Sequence, residues 1–174
     1  MDIKKHINKT VKKNKVFKVL LQLVAVLVVY FLIRTWQSVG NIQGQAPVIL
    51  ATSLNNEKID SRDFQKKPLL IHFWATWCPI CQFGNNNIYN ISKDYQVVSI
   101  ASWSGGASEV RQYLKDEHLN MPIVIVDEDA EWAKVFAVKG VPTSFIIDKK
   151  GAIQFIEKGY TSEIGLRLRL WWLQ

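Results

Sequence analysis

The apolar positions of this chain follow two regimes. From Val19 to Ile33 they are continuous, broken only at Gln22, whereas from Pro47 onward they come in short runs separated by polar turns. The continuous run with its flanks covers residues 16–36, enough at 1.5 Å rise per residue to cross a hydrocarbon core of about 30 Å. Lys18 near one end can snorkel, and Tyr30 and Trp36 toward the other suit the aromatic belt. The pattern predicts a transmembrane signal anchor over 16–36, a basic tail over 1–15 and a polar linker over 37–46. Ser38-Val39-Gly40 leaves a cleaved signal peptide as the alternative; either one exports the downstream domain.

Beyond the linker, the periodicity alternates between strand and helix. Pro47–Thr52 and Lys58–Asp60 predict a short hairpin about the Asn55-Asn56 turn. Residues 69–74 form an apolar strand, followed by a helix over about 79–93, with Asn85-Asn86-Asn87 as its weak point. A strand over 96–103 ends at Ser104-Gly105-Gly106. The helix over 107–118 carries Val110, Tyr113 and Leu114 as its buried stripe. A strand over 122–126, a short helix over 130–138, and strands over 143–148 and 152–157 about the turn Lys149-Lys150-Gly151 complete the pattern. A closing helix over 161–174 places Ile164, Leu168, Trp171 and Trp172 on one face. The order β-α-β-α-β-α-β-β-α predicts an α/β domain with a mixed central sheet, its early strands parallel and its last two an antiparallel edge hairpin.

Charge sharpens the division. The formal net charge is +7, but residues 1–18 carry seven Lys against one Asp, and from Pro47 onward 14 basic residues balance 14 acidic ones. The basic character belongs to the tail, so nucleic-acid binding by the domain gets little support. Lysines ahead of the apolar run put the N-terminus in the cytoplasm and the domain outside it.

Cys78 and Cys81 are the only cysteines. A pair so close in sequence is a poor staple, which favours a redox or metal role. The strand 69–74 leads into them, and Pro79 suits the first position of a helix. Cys78 is thus expected at a helix mouth, where the dipole and free N–H groups favour a thiolate, and Cys81 one turn in. Attack through Cys78 and resolution by Cys81 follow from that placement. Ile80 adds bulk without charge. A copper- or zinc-handling thiol protein is the competing class. Zinc needs four ligands, and the domain adds only His72 and His118 as histidines.

The segment Phe73-Trp74-Ala75-Thr76-Trp77-Cys78-Pro79-Ile80-Cys81 resembles the active-site segment of the thioredoxin superfamily. Gly140-Val141-Pro142-Thr143 with the hairpin after it is similar to its cis-proline loop. The resemblance covers residues 47–174 and implies a thioredoxin-like domain acting as a protein thiol-disulfide oxidoreductase, with no cofactor beyond the Cys78–Cys81 pair. The hairpin before the first core strand and the Trp-Ala-Thr-Trp-Cys-Pro signature resemble the TlpA-like, membrane-anchored branch. The ending Gly159–Trp172 is most similar to the ScsD-like members (suppressor for copper sensitivity protein D). Cytochrome c maturation reductases of this branch carry an acidic residue after the cis-proline, where this chain has Thr143. The resemblance implies a single-pass protein of the bacterial inner membrane with its domain in the periplasm. It also implies protein thiol or disulfide substrates and a transmembrane redox partner. It makes Pro142 cis and opposite the cysteines, and frees the Val141 backbone to pair with an extended substrate. Trp77 is expected as an exposed lip and Trp74 in the core. His72, six residues before Cys78, stands where thioredoxin has a buried acid. It is either a proton acceptor for Cys81 or a satisfied core histidine with no proton role.

Overall fold

The computed structural model describes Lys18, residues 21–29 and residues 44–174. The expected tail over 1–15, most of the anchor over 16–36, and the linker up to residue 43 lie outside the described residues. Lys18 and residues 21–29 are helical. No helix among the described residues is long and apolar enough to cross a membrane. The chain divides into two compact units, residues 1–40 and 41–174, and the second holds the cysteines.

The second unit is built on a six-stranded sheet in the order β1-β8-β7-β4-β5-β6. Its strands are β1 (Gly44–Gln45), β4 (Leu69–Trp74), β5 (Gln96–Ser102), β6 (Val124–Asp127), β7 (Thr143–Ile147) and β8 (Ala152–Lys158). β2 (Leu50–Thr52) and β3 (Lys58–Asp60) form a separate antiparallel hairpin. The helices are α1 (Pro79–Ser92), α2 (Ala107–Asp116), α3 (Glu131–Val135) and α4 (Glu163–Trp172). β4, β5 and β6 run parallel, joined by helical crossovers, and β7 and β8 are antiparallel. The fold class is therefore the expected α/β arrangement with a mixed sheet.

Two features differ from the expectation, and the placement of a third is settled by packing. The β7–β8 hairpin is not at the edge: β7 pairs antiparallel with central β4, and β1 covers β8. Gly44–Gln45, placed by pattern in the linker, form that covering strand, because two residues are too few to show an alternation. The face of α4 carrying Ile164, Leu168, Trp171 and Trp172 points outward, and the helix packs through Leu166 and Leu170.

β4 is buried along its whole length, and its residues alternate between two cores. Leu69, Ile71 and Phe73 pack into one core beside Phe136 and Phe145. Leu70 and Trp74 pack into the other with Cys78, Cys81, Ile88 and Leu166. Burying both sheet faces explains why β4 reads as an unbroken apolar run rather than an alternating one.

Candidate active site

The dithiol sits where β4 turns into α1. Cys78 is the N-cap of α1 in extended conformation, and its Sγ accepts a hydrogen bond from the Cys81 N–H at 3.3 Å. Pro79 occupies the first turn, where its missing donor costs no intrahelical bond. The helix therefore begins on the sulfur itself, which takes the place that a Ser or Asp oxygen holds at ordinary N-caps. Cys81 lies one turn in and is fully buried, while Cys78 keeps 5% of its surface open. Both are free thiols. Burial, and next the hydrogen bond with Cys78, push the Cys81 thiol up to about 12.

The opposing wall is the loop before β7. The Val141–Pro142 peptide is cis, and the Val141 carbonyl stands 3.7 Å from Cys78 Sγ. Thr143, at the position that bears the acidic residue in cytochrome c maturation reductases, turns inward and donates its hydroxyl to the Gly140 carbonyl at 2.7 Å. That bond closes the loop on itself.

Trp77 is exposed, as an aromatic lip should be, and Trp74 is fully buried. The Trp77 indole N–H donates to the Trp103 carbonyl at 2.6 Å. The apolar pattern makes Trp103 the last strand residue, yet it has left the sheet with a φ of +54°. The loop after β5 therefore braces the lip. Ser104 holds the same loop from below, accepting from the Thr76 N–H at 3.0 Å and donating to the Ser102 carbonyl at 3.1 Å. Beside the lip, Ile80 and Phe83 stand on the outside of α1, with Phe83 81% exposed. Phe83 escapes sequence reasoning because a single Phe in a helical run is read as core.

His72 is buried on the β4 face that faces Cys81's core, between Leu70 and Trp74. Its Nδ1 is 2.8 Å from the Ser144 hydroxyl, while Nε2 has no hydrogen-bond partner among the described residues. Desolvation pulls its pKa down to about 4, so the ring is neutral at ordinary pH. His72, Pro142, Ser144 and Tyr160 border one small cavity of about 10 Å³, close to the space one water needs.

Two more polar residues join this core. Asn85, in the stretch that propensity marks as weak, is fully buried and donates to the Tyr113 hydroxyl at 3.1 Å. Tyr113 packs on Trp74 with ring centroids 5.2 Å apart, and burial raises its pKa. Asn87 and Asn90 likewise reach Tyr160 and Glu163. The asparagines that weaken α1 locally are used across the fold, which is why the helix persists through them.

Comparison with known proteins agrees with this geometry. The family model described as Redoxin matches residues 41–165. A thioredoxin-like protein of Haemophilus influenzae is 34% identical over 121 residues, covering 69% of this chain and 71% of that protein. The thiol-disulfide oxidoreductase ResA of Bacillus thuringiensis subsp. konkukian is 31% identical over 162 residues, covering 87% and 93%. A crystal structure of a thioredoxin-family thiol:disulfide interchange protein from Chlorobium tepidum TLS superposes with a TM-score of 0.66. It is 22% identical and covers 76% of this chain and 97% of that one.

Proposed function

The chain belongs to the Redoxin family and is a protein thiol-disulfide oxidoreductase; from that premise we propose that it works as a membrane-anchored envelope enzyme through the Cys78–Cys81 dithiol. The observation that carries the assignment of roles is the asymmetry of the two sulfurs. Cys78 Sγ caps the helix beneath the cis-proline loop and retains access, whereas Cys81 is enclosed, with its thiol held protonated.

In the reducing direction, the Cys78 thiolate attacks one sulfur of a substrate disulfide. A Cys78–substrate bond forms, and the other substrate sulfur leaves as a thiolate that takes a proton from solvent. Val141 offers its backbone to the extended substrate segment, and Pro142, Trp77, Pro79 and Ile80 shape the groove. Cys81 then loses its proton and attacks Cys78 Sγ, which releases the second substrate thiol and leaves the Cys78–Cys81 disulfide. Engaging Cys78 in the mixed disulfide removes the hydrogen bond and the charge that help hold the Cys81 proton. Resolution is thereby eased after capture. The oxidising direction is the same sequence in reverse. A transmembrane redox partner would reset the pair.

Direct transfer of the Cys81 proton to His72 is strongly uphill, with a donor near 12 and an acceptor near 4. His72 serves better as a neutral, polar wall of the pocket under Pro142, its ring oriented by Ser144. The anchor over 16–36, with the Lys-rich segment ahead of it, supports a single-pass inner-membrane placement with a periplasmic domain. The ending Gly159–Trp172 supports a place beside the ScsD-like members.

The test is covalent trapping. A Cys81→Ser chain should accumulate reductant-labile adducts with envelope proteins at Cys78, and a Cys78→Ser chain should hold none. Adducts that survive loss of Cys78 would sink the assignment. Equilibration with glutathione then sets the direction. A potential near about −270 mV means electron donation to substrates, and one near about −120 mV means their oxidation.

A further inference from the structure

Two apolar surfaces adjoin Cys78. One is the lip, where Trp77 is braced by the loop after β5. The other is built on the outer side of α1, where Ile80 and Phe83 stand one turn apart, 52% and 81% exposed. Tyr160, from the segment joining β8 to α4, closes it. Its hydroxyl accepts from the Asn87 side-chain amide at 3.2 Å, and its ring lies over Gly84, where an added Cβ would meet Tyr160 Cδ2 at 4.0 Å. Gly84 is one turn along the helix from Ile80 and adjacent to Phe83 in the chain, so the ring sits beside both. The same tyrosine is tied to the opposing wall. The Gly159 N–H bonds the Pro142 carbonyl at 2.8 Å, and Tyr160, Gly84 and Pro142 border one small cavity. The surface of Ile80, Phe83 and Tyr160 thus joins the helix mouth at Cys78 to the cis-proline wall.

Its chemistry differs from that of an ordinary solvated helix face. α1 packs inward through Cys81, Asn85, Ile88 and Ile91, so Ile80 and Phe83 take no part in the core. No residue from Pro79 to Ser92 is charged, whereas α2 carries Glu109, Arg111, Lys115 and Asp116. Exposed aromatic residues with charge excluded are the composition of an interface centre. The distances also suit a substrate bonded to Cys78. In an extended segment the residues two away from the substrate cysteine point the same way as its sulfur, about 7 Å along the chain. Phe83 lies five helical residues beyond Cys78, about 7.5 Å along the axis, with Ile80 between them.

We propose that Ile80, Phe83 and Tyr160 form a subsite for a large apolar side chain two residues from the substrate cysteine, and that the substrates are extended segments of incompletely folded proteins. A cysteine with such neighbours is buried once its protein has folded, and is open to attack before that. The subsite rests on the dithiol mechanism, because the mixed disulfide at Cys78 is what holds the segment against α1. It selects among disulfides by what flanks them: a segment with an apolar neighbour buries it here, and a small charged disulfide such as oxidised glutathione gains nothing from an uncharged wall.

The experiment uses the full chain, pre-reduced, in nonionic detergent, with two synthetic peptides. Each peptide has a single cysteine carrying thionitrobenzoate as a mixed disulfide, and either Phe or Ser two residues away on both sides. Cys78 attacks the peptide sulfur, the Cys78–peptide disulfide forms, and thionitrobenzoate leaves as a coloured thiolate that reports the rate. The Phe peptide should react about five- to tenfold faster, the gain from burying about half of one such side chain. Phe83→Ser should lose most of that preference, and Phe83→Leu should keep most of it. Both rates come from one preparation, so their ratio does not depend on the folded fraction. A preference unchanged in Phe83→Ser overturns the subsite. Equal rates on the two peptides in the parent chain also overturn it, and leave the patch to a folded partner or a second copy. Release that persists in Cys78→Ser overturns the dithiol mechanism and the subsite together, whereas release that depends on Cys78 but ignores the flanking residue overturns the subsite alone.

Discussion

The two cores on either side of β4 are made from one strand and have opposite characters. On one side Phe73, Phe136 and Phe145 form a closed aromatic trio with ring centroids 5.2 to 5.8 Å apart. Such pairs add about 0.5–1.5 kcal/mol each beyond the area they bury. On the other side the same strand contributes His72 and Trp74 to a core that also holds both thiols, Asn85, Tyr113, Ser99 and Ser144. One face supplies dry packing; the other carries buried polar groups that are only partly satisfied, since His72 Nε2 and Asn85 Oδ1 lack protein partners among the described residues. A fold that concentrates its polar cost on one side of a sheet can keep reactive sulfurs enclosed without losing stability on the other.

Substitutions that separate the two faces test this division, beginning with the largest effect. Cys78→Ser should abolish turnover while shifting unfolding stability by no more than about 1 kcal/mol, because serine is a good N-cap. Activity assays and urea denaturation on the same preparation read both. Phe136→Ala should do the reverse, costing about 3–5 kcal/mol of stability. Its folded fraction should retain the parent's rate; a fall in rate per folded molecule would show that the aromatic face also shapes the site.

Acid should act through the polar face. His72 has its folded pKa lowered to about 4 from about 6.5. Its neutral form is favoured by folding, so its contribution is complete above about pH 6.5 and is lost as pH falls toward 4. The loss is on the order of 3 kcal/mol. Denaturation at pH 7 and pH 4.5 should show that fall in the parent and a much smaller one in His72→Asn. If His72 instead took the Cys81 proton, the pH profile of mixed-disulfide resolution would shift in the same variant, which the uphill transfer argues against.

The sign reverses for Cys81, a thiol with a raised folded pKa. The reduced chain should lose stability as pH rises from about 9 toward 12, and the oxidised chain, with no thiol to ionise, should not. Thermal melts of the two redox forms at increasing pH check this. The smallest effect is expected from Trp77→Ala at the rim. It removes one hydrogen bond to the Trp103 carbonyl, worth about 0.5–1.5 kcal/mol, so KM for a protein substrate should rise about two- to tenfold with stability little changed.

Much of the site is legible in the order of its residues. Cys78, Pro79 and Cys81 come after an apolar strand and open a helix, and those local signals are enough to put a sulfur at a helix mouth. Val141-Pro142 became part of the site only through family resemblance, because a Val-Pro pair alone does not indicate a cis bond or a facing wall. The less visible parts are contacts between distant segments. Trp103 looks like a strand end until its carbonyl is seen under the Trp77 indole, and Asn85 looks like a helix flaw until it meets Tyr113. Ile164, Leu168, Trp171 and Trp172 share one face of α4, as periodicity indicates, yet periodicity cannot say whether that face meets the sheet or the solvent.

The sequence by itself determined the main strands and helices, the parallel crossovers and the dithiol junction, because each depends on interactions among neighbours along the chain: hydrophobic period, helix capping and backbone conformation. The tertiary structure alone decided how completely Cys81 is enclosed, the depressed pKa of His72 and the outward turn of α4. Those arise from desolvation and from contacts between residues far apart in sequence, and neither quantity exists until the chain has packed.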